Sequence, residues 1–126
     1  MPHSIVYNSE TRMIISKIYS DLTLAEAKEI ISEFAAIVKE KDCTMLLNDY
    51  RQARVKLSTL EIYEAPKLYA DIFALSGLSL YHIKRALVVA EDLRDYEFFE
   101  TVSFNQGQYV KVFKDSTKAR EWLLSK

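Results

Sequence analysis

Hydrophobic and polar positions along this chain repeat with two different periods, and the changes between them outline a series of strands and helices. Residues 4–7 and 13–18 are short β-branched runs separated by the polar stretch Asn8-Ser9-Glu10-Thr11, which predicts a hairpin. From Leu24 onward the apolar side chains recur three and four apart, at Ala27, Ile30, Ile31, Phe34, Ile37 and Val38. That spacing makes one buried stripe on a helix, with Thr23 as its cap and Glu26 three residues later completing a capping box. Residues 44–48 form an apolar run that turns polar at Asn48-Asp49-Tyr50-Arg51, as a central strand ending in a loop does. Ser58 and Glu61 repeat the capping pattern, and Ile62, Ala65, Tyr69, Ile72 and Phe73 supply the face of a second helix that Gly77 stops. Pro66 falls inside this pattern and predicts a kink or a split-off first turn, because proline lacks a donor and clashes with the preceding turn.

Residues 86–90 are apolar throughout, which predicts a strand covered on both faces. A helix is expected over 93–104 with Tyr96, Phe99 and Val102 inward, then a strand over 109–113. Asp115 caps a last helix carrying Ala119, Trp122 and Leu123 on one side. The order ββαβαβαβα predicts an α/β fold with a mixed, mostly parallel five-stranded sheet flanked by four helices, forming a single domain over residues 1–126.

Composition narrows the function more than the fold. With 17 basic and 18 acidic side chains the net charge is −1, so the concentrated positive face used by nucleic-acid-binding proteins is not expected. No apolar run approaches the roughly 20 residues that span a bilayer. The start Met-Pro-His-Ser lacks the basic and apolar regions of a signal peptide, so a cytoplasmic location is expected. The single Cys43 fits a reducing compartment.

Reactive constellations are sparse. Cys43, His3 and His82 form no ligand pair with metal-binding spacing, no Gly-x-Ser-x-Gly elbow occurs, and two glycines cannot build a phosphate-cradling loop. No metal, cofactor or catalytic residue is therefore expected. Asp49, Tyr50 and Arg51, and likewise Glu91 and Asp92, follow strands of the expected parallel sheet. Both groups thus fall at its carboxyl edge, where open α/β sheets bind ligands, although solvated loops and helix caps use the same residue types. The aromatics outnumber what one core face needs. Tyr63, Tyr69, Phe73 and Phe99 are candidates for an apolar pocket between the second and third helices, with core packing as the plainer explanation.

Four segments near the C-terminus carry a family resemblance: Phe98-Phe99-Glu100-Thr101-Val102, Asn105-Gln106-Gly107, Val110-Lys111-Val112-Phe113-Lys114-Asp115 and Ala119-Arg120-Glu121-Trp122-Leu123. With the leading hairpin and the Leu-Leu-Asn-Asp strand end, they make the chain resemble the SpoIIAA-like, or STAS-like, family over nearly its whole length. The resemblance implies a non-enzymatic regulatory or protein-interaction module that docks a protein partner or forms a homodimer. Relatives of the anti-sigma-factor-antagonist type are switched by phosphorylation in an Asp-Ser-Ser-Gly motif, whose place is held here by Ser58 and Thr59. Leu57 and Leu60 stand where that motif has Asp and Gly, and helix capping alone explains a hydroxyl at Ser58. A likeness of this branch to lipid-binding Sec14 domains implies a further alternative, a carrier or sensor of a small apolar or lipid-like ligand.

Overall fold

The computed structural model describes residues 3–90 and 94–125. Its elements run β1 (His3–Asn8), β2 (Met13–Ile18), β3 (Asp21–Leu22), α1 (Leu24–Lys41), β4 (Met45–Asp49), β5 (Arg54–Val55), α2 (Thr59–Leu75), β6 (Lys84–Val88), α3 (Arg94–Asn105), β7 (Tyr109–Phe113) and α4 (Ser116–Leu124). The main sheet has the order β1-β2-β4-β6-β7. Its β1–β2 edge is antiparallel, and the remaining pairs are parallel. This is the expected mixed, mostly parallel five-stranded sheet with four helices.

Three details differ from the sequence reading. A small parallel sheet joins β3 to β5, each only two residues long and too short to show any periodicity. The strand expected over 86–90 is placed at Lys84–Val88, because β6 takes its register from β4, with Met45 opposite Lys84 and Asp49 opposite Val88. Helix α2 is not split at Pro66. An internal proline costs a helix about 3 kcal/mol. Ile62, Tyr69 and Phe73 are buried on both sides of it, and each fully buried side chain of this size contributes about 1.5–3 kcal/mol, so packing carries the helix through.

The caps also differ from one another. Ser58 and Glu61 make the reciprocal box, with the Ser58 N–H donating to Glu61 Oε1 at 2.8 Å. At α1, Thr23 Oγ1 accepts from the Glu26 N–H at 3.2 Å, but the Glu26 carboxylate turns instead to His3 Nδ1 at 2.5 Å. Glu33 takes the other ring nitrogen at 2.7 Å, so buried His3 ties β1 to α1. A charge-assisted partner outcompetes the neutral backbone donor that a capping box would use.

The two faces of the sheet are covered unequally. Met13, Leu47, Ala86 and Val88 pack under α4 through Ala119 and Leu123. The opposite face carries Ile14, Ile18 and Leu46 against Ile31 and Phe34 of α1 and Tyr69 and Phe73 of α2, with Phe99 of α3 closing over them. On that thicker side, Ile14, Leu46, Arg85 and Val110 stand in one row across the strands. Ser16, Asn48, Leu87 and Val112 form the next row toward the carboxyl edge.

Candidate functional site

Above the second row the three helices do not close completely. A cavity of about 70 Å³ lies between α1, α2 and α3 at the carboxyl end of β4 and β6. Ile30, Ile31, Ile62, Tyr69 and Leu87 make its buried floor and walls. Tyr50, Tyr96 and Phe99 add half-buried rings, and half-buried Leu24, Leu57 and Glu61 complete the lining. The Tyr50 and Tyr96 rings lie 5.8 Å apart and tilted by 35°, as an aromatic pair prefers. Glu61, the only carboxylate among these lining residues, is engaged in the α2 cap.

Beneath the cavity runs a buried polar seam. The Ser16 hydroxyl donates to Asn48 Oδ1 at 3.1 Å, and Asn48 lies near the phenols of Tyr50 and Tyr69, whose pKa values it lowers. The next member is Arg85, the bulkiest of the fully buried side chains at 1% exposure. Its Nη2 donates to Gln108 Oε1, and Gln108 Nε2 donates in turn to the Pro66 carbonyl at 2.8 Å, pinning the centre of α2 to β7. The guanidinium carbon lies 4.0 Å from the Tyr69 ring centroid and 5.6 Å from that of Phe99. Those rings offer their π faces to the cation, whose in-plane N–H groups need acceptors besides. Among the described residues, Nε and Nη1 have no hydrogen-bond partner and no carboxylate pairs with this arginine.

Burial shifts the titrations of this region in the directions expected of a low-dielectric site. The Tyr50 residue is half-buried, but its hydroxyl is enclosed, and desolvation pushes it well above the usual phenol range, with Tyr69 and Tyr96 adding to the effect. Desolvation raises Tyr69 too, opposed by Arg85. Arg85 is lowered by desolvation, opposed by the phenols of Tyr69 and Tyr50. Both phenols are therefore held neutral, and the arginine is the charged group of the seam.

The residues singled out from sequence separate in space. Tyr50 enters the apolar cavity, while Asp49 and Arg51 form a surface pair beside it, with Arg51 Nη2 donating to Asp49 Oδ2 at 2.7 Å and Nε to Oδ1 at 3.0 Å. Burial would raise the Asp49 pKa, but the hydrogen bonds and charge of Arg51 outweigh it and hold the carboxyl below its ordinary range. Glu91 and Asp92 lie outside the described residues. Tyr69 and Phe99 line the cavity. Phe73 does not line it, being fully enclosed in the core beside Tyr69. Tyr63 is 55% exposed on the outer face of α2, stacked on Phe98 at 6.3 Å. Ser58 and Thr59 are exposed at the start of α2, and the Ser58 hydroxyl accepts from the Glu61 N–H at 3.1 Å. Cys43 is buried, which raises its thiol pKa, and no group of three metal-ligating side chains occurs among the described residues.

Arg85 and Gln108 escaped the sequence reading. A cationic side chain just before the run 86–90 looks like a solvated strand end. Beginning the strand at Lys84 puts Arg85, Leu87 and Val89 on one face, and that alternation was the available signal.

No protein-family model matches the chain, and no curated protein matches its sequence. Among solved structures, the chain is similar to an uncharacterized protein of the DUF3478 family from Shewanella loihica PV-4, which has a SpoIIAA-like fold. The match has a TM-score of 0.61 and 16% identity, and covers 96% of this chain and 91% of that one. The fold of this chain is accordingly SpoIIAA-like. Among the described residues, no helix is long and apolar enough to cross a membrane.

Proposed function

We propose that this domain is a non-catalytic regulatory module that carries or senses a small apolar or lipid-like molecule. The observation that carries this reading is the cavity between α1, α2 and α3, walled by aliphatic and aromatic side chains at the carboxyl edge of a mostly parallel sheet. That edge is where open α/β sheets bind ligands. An apolar hollow has no hydrogen bonds to offer water, so filling it with hydrocarbon gains both transfer and packing energy. The non-catalytic part of the reading is supported by the two phenols at the cavity, which burial keeps neutral, and by the engagement of Glu61 in a helix cap.

A protein partner or a second copy of the chain is the other expectation of a SpoIIAA-like fold. The ligand reading is preferred because the exposed large apolar side chains Val6, Leu75, Tyr109 and Leu124 are spread over separate elements, and the exposed pair Tyr63 and Phe98 is small. The cavity, in contrast, gathers apolar groups from three helices onto one point.

Native mass spectrometry of the protein isolated from cells tests the reading. A bound small organic molecule is expected, and it should be absent from Ala65→Phe, which puts a ring into the cavity wall. Wild-type protein that stays ligand-free and takes up no apolar probe would overturn the proposal.

A further inference from the structure

Arg85 poses a problem that the rest of the fold does not answer. A fully buried guanidinium without a counter-charge is costly, because desolvation of an ion amounts to several kcal/mol and is offset only by paired charge and a full set of hydrogen bonds. Gln108 meets one nitrogen, and the rings of Tyr69 and Phe99 lie close to the guanidinium, yet among the described residues the three N–H bonds of Nε and Nη1 make no hydrogen bond. Unmet buried donors of this kind call for an unseen acceptor.

The position of the cation indicates where such an acceptor would come from. Arg85 and Leu87 lie two residues apart on the same face of β6, and Leu87 is part of the cavity floor. Tyr69 and Phe99, the rings stacked on the guanidinium, are themselves cavity walls. One layer of aromatic side chain therefore separates the apolar hollow from an unpaired positive charge, and half-buried Phe99 is the less confined of the two rings.

We propose that the cavity selects a small amphipathic acid, whose carboxylate reaches the free Nε and Nη1 of Arg85 as Phe99 turns aside, while its hydrocarbon portion lies among Ile30, Ile31, Ile62 and Leu87. This rests on the ligand-binding reading above and adds the chemical class of the ligand. Binding brings the missing counter-charge to the arginine. It also couples the ligand to α2, because Arg85 holds Gln108, and Gln108 holds the carbonyl of Pro66. A purely apolar molecule would fill the hollow and leave the cation unmet, so the acid head is what this site distinguishes. The modest volume favours a short chain or a single ring over a long acyl chain.

Calorimetry of the full chain with hexanoate and with hexanol tests the inference. Hexanoate is expected to bind about tenfold or more tightly than the alcohol, the size of a charge-assisted hydrogen bond made in a dry site. In Arg85→Met that preference should disappear while hexanol binding persists. Equal binding of the two probes by the wild type, or an acid preference that survives Arg85→Met, overturns the inference and leaves the apolar-ligand reading standing. Failure of both probes to bind overturns the two together. Because Arg85→Met changes a buried residue, a second measurement uses the unaltered protein: the Arg85 Nε–H proton resonance should move on adding hexanoate and not on adding hexanol. A resonance indifferent to hexanoate counts against the proposal whatever the variant does.

Discussion

The guanidinium carbon of Arg85 lies 4.0 Å from the centre of the Tyr69 ring, a cation–π contact with both partners removed from solvent. Tyr69 also has Asn48 near its hydroxyl and Phe73 beside its ring, and it lines the cavity between the helices. The ring and the hydroxyl make separable contributions. Tyr69→Phe keeps the stack and leaves Asn48 short of a partner, so it should cost about 1–2 kcal/mol. Tyr69→Leu also removes the ring and with it a desolvated cation–π contact of about 2 kcal/mol. Urea unfolding should rank the variants in that order with an unchanged denaturant slope. A Tyr69→Leu protein no less stable than Tyr69→Phe would show that the stack contributes nothing.

His3 sets a pH dependence where β1 meets α1. Burial disfavours its charged form, but the hydrogen bonds and charges of Glu33 and Glu26 outweigh this and raise its pKa above 6.5. A folded pKa above the unfolded one means that the bridge stabilises fully below the unfolded value and is lost as pH rises through the folded value. Melting temperature should therefore decline as pH rises above the unfolded value through the raised folded value, and His3→Gln should flatten this part of the profile. Glu33→Gln should lower the His3 titration midpoint followed by NMR. A midpoint at or below 6.5 in the wild type would contradict the geometry.

Ser58 is a helix cap before it is anything else. Its hydroxyl and its N–H both bond within the box formed with Glu61, so Ser58→Ala should cost about 1 kcal/mol. Ser58→Asp should be close to neutral, since a carboxylate also caps and suits the positive end of the helix. Chemical denaturation of the two variants checks both values. Loss of stability in Ser58→Asp equal to that in Ser58→Ala would mean that the cap is not what holds this turn.

Gly77 and Gly107 both sit at φ +77°, after α2 and α3. A Cβ at Gly77 meets nothing within 4 Å, whereas one at Gly107 would come 3.2 Å from Tyr81 Cε1. The left-handed backbone alone should cost each alanine variant about 1–2 kcal/mol. Gly107→Ala should exceed Gly77→Ala only slightly, because Tyr81 is exposed and its ring can yield. Thermal unfolding of the pair measures the difference. An additional loss at Gly107 as large as the backbone effect itself would mean that Tyr81 is held in place.

The architecture was written locally. Spacings of three and four in α1 and α2, the apolar runs of β2, β4 and β7, and the hydroxyl caps Thr23 and Ser58 each act within a few residues, so their order along the chain already implied the sheet and its helices. What lay beyond the sequence depended on neighbours remote in the chain. Whether Arg85 faces solvent or the core is decided by the register of β6 between β4 and β7. Glu26 leaves its capping box because His3 arrives from another strand. Asp49, Tyr50 and Arg51 are consecutive, yet only Tyr50 lines the cavity. Short-range periodicity determines which element a residue joins. Pairing of a buried charge, and the hollow left where three helices fail to meet, are properties of packing, which comes into being only when segments distant in sequence are brought together.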